Sequence, residues 1–336
     1  MTRVIALGSL DEAQDVAEEW GRLHADGASG VFTSPAWCLA GWRAFPELGA
    51  PLLLIATDDA GVLLGALPLT SGPGGPTWVA SPLGDEHDVR VLRNWPTNGV
   101  VAALLRSVPQ VTGCGNAVLE HVRPGGVLTG AARSRRGCPA PVVRLENPDE
   151  EFGAFACLPG WSRARRRMLR SAWRRLDQSG RLTVQCLNDP VSLTAALPVF
   201  AQTRLALWAD RGRVGELPSM DRHPRFPEFL AAAGSSLAAE GRCLLARLNL
   251  DGESLAQALF FRSPGADLLY MSAYQSKAAR FGPSHLLLAE AARLAVADGV
   301  RIIELGRGDE PYKFVLGAAP QYLRDVTLAQ WARSAS

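Results

Sequence analysis

Lysine is almost missing from this sequence: among 35 basic residues only Lys277 and Lys313 are lysines. Codon bias toward arginine explains the shortage, but not why two lysines survive in one C-terminal stretch. Paired cysteines are missing too. Cys38, Cys114, Cys138, Cys157, Cys186 and Cys243 stand singly, so zinc and dithiol spacings are excluded and buried free thiols are expected. No run of about 18 uncharged apolar residues exists, which argues against a membrane-spanning helix. Residues 1–7 lack a basic start followed by a long apolar run, so no signal peptide is read and a cytoplasmic location is expected. A net charge of +2 provides no whole-molecule pull on nucleic acid or anionic membrane. Asp85, Glu86, His87 and Asp88 are adjacent in one loop and do not easily converge on one ion. That loop is expected to be solvated, and no metal is expected.

What is present is an ordinary globular composition, 47% hydrophobic and 20% charged, over 336 residues. That length is large for one core and predicts two domains. A strand is predicted over 4–7 and a helix over 11–25. Phe32-Thr33-Ser34-Pro35 then places an N-cap serine before a proline suited to the first helical position. The helix that follows carries Trp37 and Trp42. Two apolar runs, 52–57 and 62–69, flank Asp58-Asp59-Ala60-Gly61 and predict a hairpin. Short strands are predicted over 78–80, 117–122 and 142–145, and 125–141 is expected to be an exposed loop.

Between Trp161 and Arg181 lie eight arginines and one acid, Asp177. Leu169, Ala172, Trp173 and Leu176 recur at i, i+3, i+4 and i+7, which predicts an amphipathic helix with a basic face. A strand over 182–187 and a helix over 193–208 follow. Three apolar runs, 243–250, 255–262 and 268–274, are separated by Asp251-Gly252-Glu253 and Ser263-Pro264-Gly265, the pattern of an antiparallel meander. A helix over 286–297 stops at Gly299, and a strand is predicted over 301–305. The hairpins at 52–69 and 243–262 suggest an internal duplication.

Strand, turn, strand, turn, strand, helix, strand is the order of the GNAT acyltransferase core. Three strings resemble its two-module branch, related to the cellulose-biosynthesis-associated acetyltransferase and distantly to Fem-type aminoacyl-tRNA-dependent transferases. They are the Phe32–Trp42 entry, the arginine-studded segment 158–176, and Gly306-Arg307-Gly308-Asp309-Glu310-Pro311-Tyr312-Lys313. The resemblance implies an α/β protein of tandem GNAT-like modules, each a mixed, mostly antiparallel sheet flanked by helices. The expected division is 1–150, a basic connecting helix over 151–181, and 182–336 carrying the chemistry.

The same resemblance implies an acyl-CoA site where the third meander strand hands over to a helix, at Arg280, Gly282, Ser284 and His285. Free N–H groups and the positive helix end would receive a pyrophosphate there. The string departs from the family pattern: Arg280 is one residue too close to Gly282, Pro283 removes a donor, and Ser284 and His285 stand where Gly or Ala is expected. Asp309, Glu310, Tyr312 and Lys313 form a polar cluster past a strand end, where ligands of open α/β sheets commonly bind. In it Asp309 or Glu310 accepts a proton from an amine, Tyr312 returns one to the leaving group, and Lys313 holds an anion. Tyr274 and Gln275 end the meander facing this helix start. Arg204 and Trp208 share a helix face and, next to Asp221 and His223, are candidates to line an acceptor pocket.

Three functions follow as expectations. The first is transfer of an acyl group from acyl-CoA to an amine or hydroxyl of a small molecule, in a specialised biosynthetic pathway. The second takes the group from aminoacyl-tRNA, with the basic helix meeting phosphates. The third is a GNAT scaffold that has lost CoA binding and serves as a partner subunit or catalyses another reaction.

Overall fold

The computed structural model describes residues 2–25, 30–217 and 219–329. The chain forms two compact units, 1–138 with 322–336, and 139–321.

The first unit opens with β1 (Arg3–Leu7), α1 (Leu10–Asp15), α2 (Ala17–Ala25) and α3 (Pro35–Ala44). Ser9 and Glu12 form a capping box at the start of α1, and Val16 interrupts the single helix expected over 11–25. Ser34 caps α3 by accepting from the Trp37 N–H, with Pro35 at the first position. The meander β2 (Ala50–Thr57), β3 (Leu63–Gly72) and β4 (Gly75–Trp78) follows, with β1 antiparallel to β2. Its first turn is held by Asp58, whose carboxylate accepts from the Ala60 and Val62 N–H groups, and Gly61 has a positive φ. The unit continues through β5 (Arg90–Val91), α4 (Thr97–Thr112), β6 (Val118–Val122), α5 (Val127–Ala131) and β7 (Ser134–Pro139).

The second unit runs β8 (Val142–Arg144), α6 (Arg163–Ser179), β9 (Leu182–Leu187), α7 (Pro190–Asp210), α8 (Phe226–Ala239), β10 (Cys243–Leu250), β11 (Glu253–Ser263), β12 (Ala266–Tyr274), α9 (Pro283–Ala297), β13 (Ile302–Glu304) and α10 (Pro311–Val315). Its six strands lie in the order β8-β13-β12-β11-β10-β9, with only β12 and β13 parallel. One core of this unit gathers Leu169, Ala172 and Leu176 of α6, Leu286, Leu287, Ala289, Ala292 and Ala295 of α9, and Ala246, Ala258 and Phe260 of the sheet. The last strand, β14 (Tyr322–Thr327), belongs to the first unit, between β6 and β7.

The order strand, two or more helices, meander, helix, strand thus occurs in both units. The units part at 138/139 and 321/322 rather than near 150, because β8 pairs with β13 and β14 pairs with β6. The stretch 151–181 lies inside the second unit and is not a separate connector. The expected exposed loop over 125–141 instead carries α5 and β7. The loop at 85–88 is also corrected: Glu86, His87 and Asp88 are 7%, 0% and 4% exposed. His87 stacks on Trp78 with ring centroids 4.8 Å apart, and Asp88 accepts from the Val89, Val127 and Leu128 N–H groups, anchoring the start of α5.

Candidate functional site

β12 and β13 share three rungs, Ala266 with Ile302, Asp267 with Ile303 and Leu268 with Glu304. β12 then continues to Tyr274 without β13, for roughly 20 Å at strand rise. A register shift opposite Leu259 and Phe260 puts a bulge in this free stretch, which re-aims the side chains beyond it. The chain leaves β12 through the 3₁₀ turn Ser276–Phe281 and enters α9 at Gly282, whose φ of 62° is left-handed. The parted strands and the start of α9 lie within one unit.

Tyr274 is partly buried at the end of β12. Its hydroxyl accepts from the Arg211 guanidinium, which also lies 5.2 Å from the centre of its ring. Because the oxygen is acting as acceptor, the phenolic proton remains available to a ligand. The Gln275 backbone N–H donates to the Leu255 carbonyl. Arg204 projects from α7 and donates to Asp221 at 3.1 Å and to the Ser272 carbonyl of β12 at 3.1 Å. Ser272 lies beyond the last rung to β13, so Arg204 ties the free part of β12 to α7. Trp208 does not join this pair; Arg213 lies over it. His223 accepts from the Arg225 N–H in a turn of its own.

At the helix start, Arg280 is exposed and its guanidinium lies 4.8 Å from the centre of the Phe281 ring. The His285 N–H and the Leu286 N–H both donate to the Gly282 carbonyl, and Pro283 has none. Three of the first four positions of α9 therefore offer no N–H to a ligand. The His285 Nε2 lies 3.0 Å from Arg165 Nη2, and the Trp161 ring is 6.1 Å from the imidazole. Since guanidinium only donates, His285 is the acceptor in this contact. Burial, and then the Arg165 charge, hold its pKa below the usual histidine value. Ser284 Oγ is buried with no partner. The place a pyrophosphate would occupy thus has few free N–H groups, and the Arg165 guanidinium that α6 places beside it is the charge there that would favour an anion.

Past β13, the predicted cluster is split by burial. Lys313 is 2% exposed, whereas Asp309, Glu310 and Tyr312 are exposed. The Lys313 ammonium donates to the carbonyls of Gly306, Arg307 and Gly308 at 3.1, 2.5 and 3.2 Å, and pairs with Glu310 at 2.9 Å. Its three protons are used inside the loop, which corrects the expectation that it grips a ligand anion. A compact ammonium at the centre of three successive carbonyls explains why lysine stands here in an arginine-biased chain. The other lysine, Lys277, pairs at the surface with Glu253 at 2.7 Å.

Sequence reasoning missed Arg165, Trp161 and Arg211 as neighbours of the site. Nothing distinguished the two arginines among so many, or Trp161 from a core aromatic, until the fold brought the start of α6 and the end of α7 to α9 and β12. On α6, Arg163 bonds Glu151, Arg166 lies 4.0 Å from Glu146, and Arg167 lies 4.0 Å from Glu151. Much of the basic face is therefore answered by a neighbouring acidic stretch. Among the described residues no cluster of His, Cys, Asp and Glu is placed to hold a metal ion. No described helix is long and apolar enough to cross a membrane.

A meander with a parted parallel strand and a helix rising from the gap defines a GNAT-type α/β transferase fold. Residues 163–314 match the family model described as an acetyltransferase (GNAT) domain, so this stretch of the second unit carries a GNAT domain. No curated protein matches the sequence. Among solved structures, one described as FemX is similar in fold, with a TM-score of 0.61 at 13% identity over 94% of this chain and 96% of that one. The C-terminal domain of a putative lysylphosphatidylglycerol synthetase from Agrobacterium fabrum gives 0.59 at 12% identity, covering 96% and 95%. L-PGS from Bacillus licheniformis gives 0.59 at 11% identity, covering 95% and 91%. At these identities the likeness is one of fold.

Proposed function

We propose that the second unit transfers an acyl group to an amine or hydroxyl of a small molecule, in a biosynthetic pathway. The observation that carries this reading is the free stretch of β12 facing the start of α9, with Tyr274 at its end. In the proposed reaction the acceptor nitrogen or oxygen attacks the acyl carbonyl and a new C–N or C–O bond forms. The bond to the carrier breaks, and Tyr274 gives its proton to the departing group while Arg211 holds its oxygen. The exposed carboxylates of Asp309 and Glu310 are the candidates to take the acceptor's proton. Lys313 sets the position of their loop.

The missing backbone cradle favours a carrier other than CoA, and aminoacyl-tRNA is the second reading. The likeness to FemX and to the lysylphosphatidylglycerol synthetase domains is compatible with it; the arginines of α6 that pair with Glu146 and Glu151 weigh against a large phosphate interface. A third reading, a scaffold or partner subunit without transfer activity, makes the gap a relic.

The test has two parts. Calorimetry with acetyl-CoA is expected to give no low-micromolar binding, and tight binding would overturn the argument about the carrier. Transfer to a panel of amines and alcohols is then assayed with acyl-CoA and with aminoacyl-tRNA. Turnover that falls about a hundredfold or more in Tyr274→Phe supports the reading. Absence of turnover with both carriers would leave the scaffold.

A further inference from the structure

The second unit holds a cavity at the other end of β12, away from the candidate site. Its volume is about 170 Å³, close to the size of an apolar cavity that accepts a benzene ring. The floor is apolar: Leu244 of β10, Phe260 of β11, and Leu294 and Ala295 of α9. Charged groups stand on one side. Arg262 lies 3.5 Å from Asp267 and 2.8 Å from Asp298, and Asp267 is 3% exposed. Cys186 of β9 lines the cavity and is itself exposed. From Asp267 to Tyr274 the strand runs roughly 23 Å, so this cavity lies well away from Tyr274.

The charges there do not balance. Asp267 and Asp298 share the single guanidinium of Arg262. Asp298 follows the last turn of α9, where a carboxylate meets the negative end of the helix. Arg301 answers part of that end by donating to the Val296 and Val300 carbonyls, so the shortage of positive charge is at the cavity side. Burial raises the Cys186 thiol above its usual pKa, which leaves it a reporter and not an activated nucleophile.

We infer that this cavity is a binding site for a small organic cation, a primary amine carrying one apolar group of about the size of a benzene ring. The apolar group lies on Phe260, Leu244 and Leu294, and the ammonium meets Asp298 beside Arg262. The fit follows from chemistry alone: an apolar floor takes the ring, and an acidic rim with one cation for two carboxylates takes the charge and rejects an anion. The inference does not depend on the reaction proposed for the other end of the strand.

Benzylammonium, benzyl alcohol and benzoate share one ring and differ in charge, so they are the probes. Each is titrated into the full chain while alkylation of Cys186 by iodoacetamide is followed by peptide mass. Benzylammonium is expected to slow alkylation at Cys186 at least tenfold at saturation, benzyl alcohol less, and benzoate not at all. Asp298→Asn, at a carboxylate more than half exposed, is expected to bring benzylammonium down to the level of benzyl alcohol. Leu294→Trp fills the cavity and is expected to remove protection by all three. Protection by benzoate equal to that by benzylammonium would overturn the assignment. So would no protection by any probe, or an unchanged response in Asp298→Asn. If Leu294→Trp does not fold, the Asp298→Asn comparison alone decides.

Discussion

The two units repeat one order of elements and use it differently at one point. In the first unit the third meander strand, β4, has four residues, and β6 lies in another sheet with β14 and β7. In the second, β12 has nine residues, takes β13 alongside for three rungs and then runs on alone. The connection after the meander differs as well. After β4 the chain buries Glu86, His87 and Asp88, with His87 on Trp78 and Glu86 3.2 Å from Arg123. After β12 it makes one short 3₁₀ turn and starts α9 at a left-handed glycine. Polar groups in the first unit are thus spent on closing the structure, while the second leaves one edge of β12 without a strand partner beyond Leu268. A duplicated scaffold can divide its work in this way, and our proposal places the chemistry in the second copy for that reason.

The comparison can be broken most sharply at Arg204. Arg204→Ala leaves Asp221 buried without its guanidinium and frees the Ser272 carbonyl, and is expected to cost about 3–5 kcal/mol. Denaturant melts read the loss, and hydrogen exchange is expected to rise along β12 and not along β3. If exchange rises equally in both sheets, the two units are not independently held.

The counterpart in the first unit is Asp88. Asp88→Ala strands three backbone N–H groups and is expected to cost about 3 kcal/mol, with exchange rising at Val127 and Leu128. Acyl transfer by the second unit is expected to survive at a temperature where the variant is folded. Loss of transfer without loss of structure would move the chemistry toward the first unit.

Lys313 sharpens the picture of the loop after β13. Lys313→Met removes the donor to three carbonyls and is expected to cost about 2–3 kcal/mol. Lys313→Arg is expected to cost about half as much, because a planar fork cannot point at all three carbonyls at once. Melting temperature and turnover are to be measured together. An unchanged melting temperature in both variants would contradict the buried clamp.

The smallest effect is in pH. The folded pKa of His285 lies below its unfolded value. Between those two values the unfolded chain binds more protons, so stability is fully present above about pH 6.5 and falls as pH drops toward the folded pKa. The slope from this group is at most about 1.4 kcal/mol per pH unit. His285→Gln is expected to flatten it, as read from denaturant midpoints between pH 5 and 7.

Local signals were legible wherever one residue type has one physical use. Ser34 with Pro35 marked a helix start, Asp58 to Gly61 marked a hairpin, and Leu169, Ala172 and Leu176 marked the buried face of α6. Helices α4 and α8 were not read from the sequence. The sparse charge on α8 and Pro109 inside α4 hid their periodicity. β14 was unread because a six-residue strand gains its meaning from partners about two hundred residues earlier in the chain.

The amino-acid sequence by itself determined many of the elements, the meander, the basic helix and the GNAT order, because hydrophobic period, turn residues and caps act over a few positions. Only the tertiary structure decided what the polar residues do. The loop at 85–88 looked like solvent-facing charge until Trp78 covered it. Lys313 looked like a ligand's partner until three carbonyls of its own loop closed around it. Arg165 was one arginine among many until α6 lay across the start of α9. Whether a charged group is free or spent depends on which distant backbone and side-chain atoms come within hydrogen-bond reach, and neither spacing nor composition carries that distance.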